Sequence, residues 1–294
     1  MNFNDFTLSD WLFYLENSQS DEIQLGLERV SQVASRLDLL QQQATIITVA
    51  GTNGKGSTVA TLEAIYRAAG YQVASYTSPH LIHFNERIRI NQQPIDDHSL
   101  CEVFSFVEQH RKEIHLTYFE MATLAALYYF KQHTLDVIIL EVGMGGRLDA
   151  TNIIDADLAI ITTIDFDHQA YLGDTKDAIG YEKAGILRSN IPCIYADILP
   201  PVTILSEVER LNVTLYVLNQ QYSFQSIQDK LMLTLPTNDS VALSLPKINL
   251  KAAAAAIIAS QCLSSVLPIE EDDWEQAMKQ VNIIARQEVV KGEF

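Results

Sequence analysis

Apolar and polar positions along this chain follow two different periods, which predict helices and strands in turn. Apolar residues recur at the spacing of a helix face over residues 8–17, 22–40, 57–69, 96–112, 118–133, 175–188 and 249–264. Short apolar runs, which are typical of buried strands, cover residues 45–50, 72–76, 136–141, 158–163 and 192–196. Strands that alternate with helices favour a parallel sheet with helices on its faces, so we predict an α/β fold with a mostly parallel central sheet.

A different pattern occupies residues 197–247, where the apolar runs are short and turn residues are frequent. This pattern predicts a small β-rich subregion beside the main sheet. Residues 281–292 resemble the approach to a further strand.

The stretch from Thr48 to Thr58 reads TVAGTNGKGST and joins the first predicted strand to the next helix. In such a loop, glycines let backbone N–H groups approach phosphate oxygens, a lysine reaches the outer oxygens, and the helix N-terminus faces the negative charge. The common spacing is G-x-x-x-x-G-K-[ST], but here Val49 replaces the first glycine and Gly56 follows Lys55. We interpret the stretch as a nucleotide-binding loop, with a plain glycine-rich turn as the alternative.

Polar residues follow several other predicted strands. Ser78 and Glu141 come at the ends of two of them, and the sequence DFDH at 165–168 follows a third. The carboxyl ends of parallel strands meet at one edge of a sheet, where ligands bind in such folds. An apolar strand that ends in an acid is typical of an Mg²⁺ site, so we interpret Glu141 as a metal ligand, with an acid in solvent as the alternative.

Three features are ambiguous by themselves. His168 has the place of a metal or phosphate ligand, but a lone histidine is also common on protein surfaces. Lys183, judged by its position on a predicted helix, is an exposed lysine. The glycines of residues 143–146 permit a close backbone approach to a ligand or another loop, or they form a flexible loop.

Composition narrows the class of protein. The chain has 294 residues, 48% of them apolar, which allows one large or two modest domains with a substantial core. The net charge of −17 argues against a nucleic-acid partner, because such a partner requires a basic surface. The three cysteines lack C-x-x-C spacing, so we predict a reducing compartment and no metal cluster. The start of the chain lacks a basic signal region and no apolar run approaches roughly eighteen residues, so we expect a cytoplasmic protein without a membrane partner.

Several motifs then occur in a fixed order along the chain. They are GTNGKGS at 51–57, TSPHL at 77–81, EVGMGGRLDATN at 141–152 and EKAGI at 182–186, joined by IQLGLERV at 23–30 and TYFE at 117–120. Together they resemble the Mur-ligase superfamily and, more narrowly, the bifunctional dihydrofolate synthase/folylpolyglutamate synthases. The resemblance covers nearly the whole chain and implies the P-loop three-layer domain found at the centre of Mur ligases.

The resemblance implies an ATP site. Its residues would be Thr52, Asn53, Gly54, Lys55, Gly56, Ser57, Asn249 and Arg286. The loop residues would hold the phosphates, Asn249 would contact adenine, and Arg286 would contact the phosphates. The family usually has glycine before that arginine, whereas this chain has Ala285.

The resemblance also implies Mg²⁺, held by Ser78, Glu141 and His168. Lys183 matches the lysine that the family carbamylates, a change that turns a cation into an anion able to orient a second Mg²⁺. The catalytic roles would fall to Lys55, Lys183 and His168.

A pteroate pocket is implied on three segments, with the residues Leu25, Gly26, Leu27, Glu28, Thr117, Tyr118, Phe119, Glu120, Leu148, Asp149 and Ala150. The implied activity is an ATP-dependent ligase that adds L-glutamate to 7,8-dihydropteroate and to reduced folates. The reaction would pass through an acyl phosphate and release ADP and phosphate. We expect the protein to be a monomer.

The resemblance divides the chain as well. Residues 1–282 would form the ATP-binding domain, of which residues 1–44 are a helical segment that helps to form the pteroate site, and residues 283–294 would begin a linker. The family continues into a C-terminal domain that holds glutamate, and these 294 residues do not include it. We therefore expect this form to be poorly active.

Two alternatives stay open. The chain is a nucleotide- and pteroate-binding module without ligase activity, or it is a cell-wall precursor ligase of the same superfamily. A cell-wall ligase carries a UDP-sugar-binding domain before the loop, and the roughly fifty residues that precede Gly51 are too few for one.

Overall fold

The computed structural model describes residues 3–17 and 24–282. The helices are α1 (Leu8–Asn17), α2 (Glu28–Arg36), α3 (Lys55–Ala68), α4 (Asp97–Arg111), α5 (Tyr118–Lys131), α6 (Gln169–Leu172), α7 (Lys176–Ala184), α8 (Val202–Leu211), α9 (Leu250–Cys262) and α10 (Glu271–Gln280). The strands are β1 (Thr45–Ala50), β2 (Val73–Tyr76), β3 (Ile88–Ile90), β4 (Gln93–Pro94), β5 (Val137–Glu141), β6 (Leu158–Ile161), β7 (Pro192–Tyr195), β8 (Thr214–Val217), β9 (Ser223–Ile227), β10 (Lys230–Thr234) and β11 (Ser240–Ser244).

The central sheet has the strand order β4-β3-β2-β5-β1-β6-β7-β8. The strands from β2 to β8 in this order pair in parallel, and β3 and β4 add an antiparallel edge. A separate antiparallel sheet has the order β11-β10-β9. The predicted α/β class, the mostly parallel sheet and the small β-rich subregion are confirmed.

Helices cover both faces of the central sheet, which gives three layers. Successive residues of β1 point to opposite faces, so Ile47 and Val49 pack with α3, α9 and α10, whereas Ile46 packs with α1, α2, α4 and α5. The helices α7 and α8 cover β6 and β7 on the same face as Ile46. This arrangement buries both faces of the parallel strands and explains why they read as nearly continuous apolar runs.

Several element bounds differ from those predicted. The helix expected over 22–40 is confined to α2, because Gly26 has a φ of 149° and Asp38 has a φ of 54°, neither of which fits a right-handed helix. The helices α8 and α10 and the antiparallel edge were not predicted. The strand expected over 281–292 lies outside the described residues from position 283 onward.

A buried carboxylate joins α3 to the antiparallel edge. The Glu63 side chain is 3% exposed. It accepts hydrogen bonds from Ser75 Oγ at 2.7 Å and from Arg89 Nη2 and Nε at 2.8 and 3.2 Å. A buried charge needs such partners to offset its loss of hydration, so this contact holds β2 and β3 against α3.

Replacing the cation of this pair tests its contribution. In Arg89→Leu the buried Glu63 carboxylate keeps only the Ser75 hydroxyl, and we expect the free energy of unfolding to fall by about 3 kcal/mol in urea denaturation. The matched control is Arg210→Leu, which removes an exposed ion pair with Glu207 and should change stability little. Equal effects of the two substitutions would contradict this account.

Candidate functional site

The loop between β1 and α3 depends on two glycines with left-handed backbone. Gly51 has a φ of 143° and Gly54 a φ of 92°. A Cβ atom on Gly51 would lie 1.8 Å from Thr162 Oγ1, so no other residue fits there unless Thr162, the residue after β6, shifts. Gly54 precedes the first residue of α3, so the loop leads directly into the N-terminus of that helix.

The segment that follows β6 forms hydrogen bonds with this loop. Thr163 O accepts from Thr52 N at 2.8 Å, and Thr163 Oγ1 accepts from Asn53 N at 3.1 Å. The Thr52 hydroxyl donates to Asp165 O at 3.1 Å and accepts from Asp165 N at 3.0 Å. The shape of the loop is therefore fixed by hydrogen bonds to a segment about 110 residues later in the chain. The spacing of the loop motif did not predict these hydrogen bonds.

Lys55 is the first residue of α3 and folds back over the loop. Its Nζ donates to Gly51 O at 3.0 Å and to Thr52 O at 3.4 Å. The ammonium group and the helix N-terminus together form a positive concavity that fits an anion. Gly56 and Ser57 lie in the first turn of the same helix, and Ser57 is buried.

Ser78 and Glu141 lie together at the carboxyl ends of β2 and β5. Ser78 N donates to Glu141 Oε2 at 3.3 Å, and Glu141 is 3% exposed. His168 follows β6, on the other side of β1 from β5, and its Nε2 lies 3.6 Å from Asp167 Oδ1. Two of the three predicted metal ligands are therefore brought together, and His168 stands apart from them in strand order.

The oxygens of Ser78 and Glu141 are of the type that Mg²⁺ binds. Within residues 3–17 and 24–282, no three His, Cys, Asp or Glu side chains could hold a metal ion by themselves. Mg²⁺ commonly binds through one or two protein oxygens and takes its other ligands from phosphates and water. The pair thus fits Mg²⁺ as part of a metal–nucleotide complex.

Lys183 on α7 is buried, with 2% of its surface exposed. Its interpretation as an exposed helix lysine is therefore wrong. Burial first, and the positive charge of Lys55 second, lower the pKa of Lys183 to about 8 from 10.5, against the opposing charges of Asp167 and Asp149. The two lysines thus interact electrostatically, and the Lys183 amine loses its proton more readily than an exposed lysine does.

The glycine-rich loop at 143–146 leads to Arg147, which packs against the end of α7. Arg147 N donates to Glu182 O at 2.7 Å, and its Nη2 donates to Glu182 Oε1 at 2.8 Å. A Cβ atom on Gly185 would lie 2.3 Å from Arg147 Cβ. These contacts fix the helical turn that contains Lys183. In the sequence, the only sign of them was the high density of glycines at 143–146.

The three segments predicted to form a pteroate pocket lie close together. Arg29, which directly follows the segment at 25–28, has its Nη2 3.1 Å from Glu120 Oε1 and so joins that segment to the start of α5. A Cβ atom on Gly143 would lie 2.6 Å from Phe119 Cζ, so α5 also contacts the loop that leads to residues 148–150. The assembly of the three segments was predicted by resemblance alone.

Several residues with predicted ligand roles also hold local structure. Thr117 and Glu120 form a reciprocal capping box at the start of α5. The Asp149 carboxylate is buried, which raises its pKa, and accepts from Met144 N at 2.9 Å. Asn249 Oδ1 accepts from two backbone N–H groups and caps α9. Their ligand contacts stay predictions, and the prediction for Arg286 lies outside the described residues.

No helix in the described parts of the chain is long and apolar enough to cross a membrane.

Known proteins are similar to this chain over most of its length. Residues 49–196 match the family described as Mur ligase middle domain. The dihydrofolate synthase/folylpolyglutamate synthase of Haemophilus influenzae is 42% identical over 285 residues, which are 97% of this chain and 64% of that protein. Escherichia coli FolC in complex with DHPP and ADP has a TM-score of 0.93 at 41% identity, over 97% of this chain and 69% of that chain.

A bifunctional folylpolyglutamate synthase/dihydrofolate synthase with Mn, AMPPNP and L-glutamate bound has a TM-score of 0.90 at 42% identity, over the same shares. The chain spans about two thirds or less of the curated relatives, 64% of the Haemophilus protein and 47% of the Escherichia coli one. The motifs, the fold and these relatives agree, and the chain belongs to the dihydrofolate synthase/folylpolyglutamate synthase family of Mur ligases.

Proposed function

We propose that this chain is the nucleotide- and pteroate-binding part of an ATP-dependent ligase that joins L-glutamate to 7,8-dihydropteroate and to reduced folates. The observation that carries the proposal is one edge of the sheet, where the loop at 51–57 and the Ser78–Glu141 pair lie at adjacent strand ends. Relatives described with ADP, AMPPNP, Mn, DHPP and L-glutamate support it.

The proposed reaction follows from the chemistry of amide formation. A carboxylate does not condense with an amine in water, because its oxygen is a poor leaving group. Transfer of the terminal phosphoryl group of ATP to the pteroate or folate carboxylate gives an acyl phosphate and ADP. The glutamate nitrogen then attacks the acyl carbon, loses a proton and displaces phosphate. Lys55 and the N-terminus of α3 stabilise charge on the transferred group.

Ser78 and Glu141 would hold Mg²⁺ beside the phosphates, with His168 as a further ligand. The ion neutralises phosphate charge when it is bound. The burial of Glu141 supports this role, because a buried carboxylate favours a cation partner. The proposal includes a second Mg²⁺ only if Lys183 carries the carbamate described next.

Lys183 is proposed to carry a carbamate. The neutral amine nitrogen attacks the carbon of CO₂ and loses a proton, which leaves an anionic carbamate in place of the ammonium group. Its burial and its pKa of about 8 support this step, because the neutral amine is the nucleophile.

The activity is tested by ADP release and amide formation with ATP, glutamate and either dihydropteroate or a reduced folate. Repeated turnover, with ADP and amide formed in equal amounts only when both the acid and glutamate are present, supports the ligase. Binding of ATP and dihydropteroate without ADP release would contradict ligase activity in this chain and favour a binding module.

Removal of the loop lysine tests the nucleotide site. In Lys55→Met a charge-assisted contact to phosphate is lost, and we expect calorimetric affinity for ATP to fall by roughly ten- to a hundredfold. The exposed Lys112→Met variant is the control and should bind ATP as the unmodified chain does. Unchanged ATP affinity in Lys55→Met would place the nucleotide elsewhere.

The pKa of Lys183 gives the modification a defined pH dependence. With a pKa of about 8, about half of the amine is neutral at pH 8 and about one hundredth at pH 6. We therefore expect the carbamate signal in ¹³C NMR with labelled bicarbonate to rise steeply between these pH values and to be missing in Lys183→Met. A signal that persists in Lys183→Met would assign the carbamate to another amine.

A further inference from the structure

Arg29 lies in the first turn of α2, directly after the predicted pocket segment 25–28, and contacts Glu120 of a second predicted pocket segment. Its Nη2 donates to Gln24 O at 3.1 Å and to Glu120 Oε1 at 3.1 Å. Glu120 lies 91 positions later in the sequence than Arg29. The Arg29 Nε is buried, and no described residue accepts a hydrogen bond from it. A buried donor without a partner costs free energy, and the contacts of Nη2 must offset that cost.

The partner carboxylate performs two tasks. Glu120 Oε2 accepts from Thr117 N at 2.7 Å and so caps α5, while Oε1 accepts from Arg29. The Glu120 side chain is 4% exposed, whereas the Arg29 side chain is 33% exposed. Because a buried carboxylate needs a cation partner, the cap of α5 and the contact to α2 are coupled through one side chain.

The two residues that Arg29 contacts, Gln24 and Glu120, lie next to or within two predicted segments of the pocket. The segment at 24–27 is irregular, contains Gly26 with a φ of 149°, and is held back onto α2 by the Arg29–Gln24 hydrogen bond. The first turn of α5 carries Tyr118 and Phe119. The guanidinium of Arg29 therefore connects these two segments directly.

We propose that Arg29 is a positioning residue for the pteroate. It sets the distance between the segment at 25–28 and the first turn of α5, and it acts on pteroate affinity and not on the nucleotide loop. The inference rests on the proposed function, because it takes the pocket from that proposal.

Binding measurements with two ligands on the 294-residue chain test the inference. In Arg29→Met we expect the Kd for dihydropteroate to rise about tenfold and the Kd for ATP to change less than about twofold. The matched control is Arg36→Met on the same helix, whose Nη2 pairs with the exposed Glu113 at 3.0 Å. It should leave both Kd values within about twofold of the unmodified chain.

A second variant separates positioning from folding. In Glu120→Gln the amide oxygen still accepts from Thr117 N, so the α5 cap is kept while the charge that binds Arg29 is lost. Glu120 is itself a predicted pocket residue, so the double variant decides between the two roles. If Arg29 acts through Glu120, the double variant binds dihydropteroate no more weakly than either single variant, whereas losses that add overturn the inference.

The outcomes distinguish this inference from the proposed function. If the unmodified chain binds ATP but not dihydropteroate, the proposed function fails and the inference fails with it. If the unmodified chain binds dihydropteroate and Arg29→Met binds it equally well, only the inference is overturned. An equal loss of both ligands, with loss of helical circular dichroism, overturns it too, because Arg29 then serves the fold alone.

Discussion

The close approach of Gly51 to Thr162 is the constraint on which the rest of the site depends. A backbone without a side chain at position 51 lets the loop lie against the end of β6. From there the hydroxyls of Thr52 and Thr163 fix the loop, and the loop in turn fixes the start of α3. Lys55 is the first residue of that helix, so the close contact between Gly51 and Thr162 determines the position of the Lys55 ammonium group.

Two ionisable side chains of the candidate site are buried, an acid at the end of β5 and a base on α7. Glu141 is a buried acid and Lys183 is a buried base, and burial disfavours the charged form of each. In a chain with a net charge of −17 the overall field does not attract an anion, and Lys55 and the N-terminus of α3 are the local positive groups at the loop that suit one.

The sequence predicted best what depends on local pattern. The apolar runs located β1, β2, β5, β6 and β7, and the loop motif located the N-terminus of α3 within two residues. It could not predict the Glu63–Arg89 pair or the contact between Arg147 and Glu182, because these join distant segments and leave no periodic signal. The burial of Lys183 escaped the helix pattern for the same reason. The family resemblance predicted that the three pocket segments lie together, which the spacing of residues along the chain does not predict.

Residues such as Thr117 and Asn249 show a further limit of reading a sequence. Short polar side chains are favoured as helix caps and are equally suited to contact a ligand. Both residues cap helices, Thr117 at α5 and Asn249 at α9. A cap of this kind ties the orientation of a possible ligand contact to the stability of the helix behind it.

The antiparallel edge of the central sheet has a consequence for association between molecules. An exposed outer strand offers unpaired N–H and C=O groups on which a strand from another chain can add. Here the outer strand β4 consists of Gln93 and Pro94 alone, and the proline has no N–H to donate. At this edge of the sheet, β4 therefore offers only a short template for the addition of another strand.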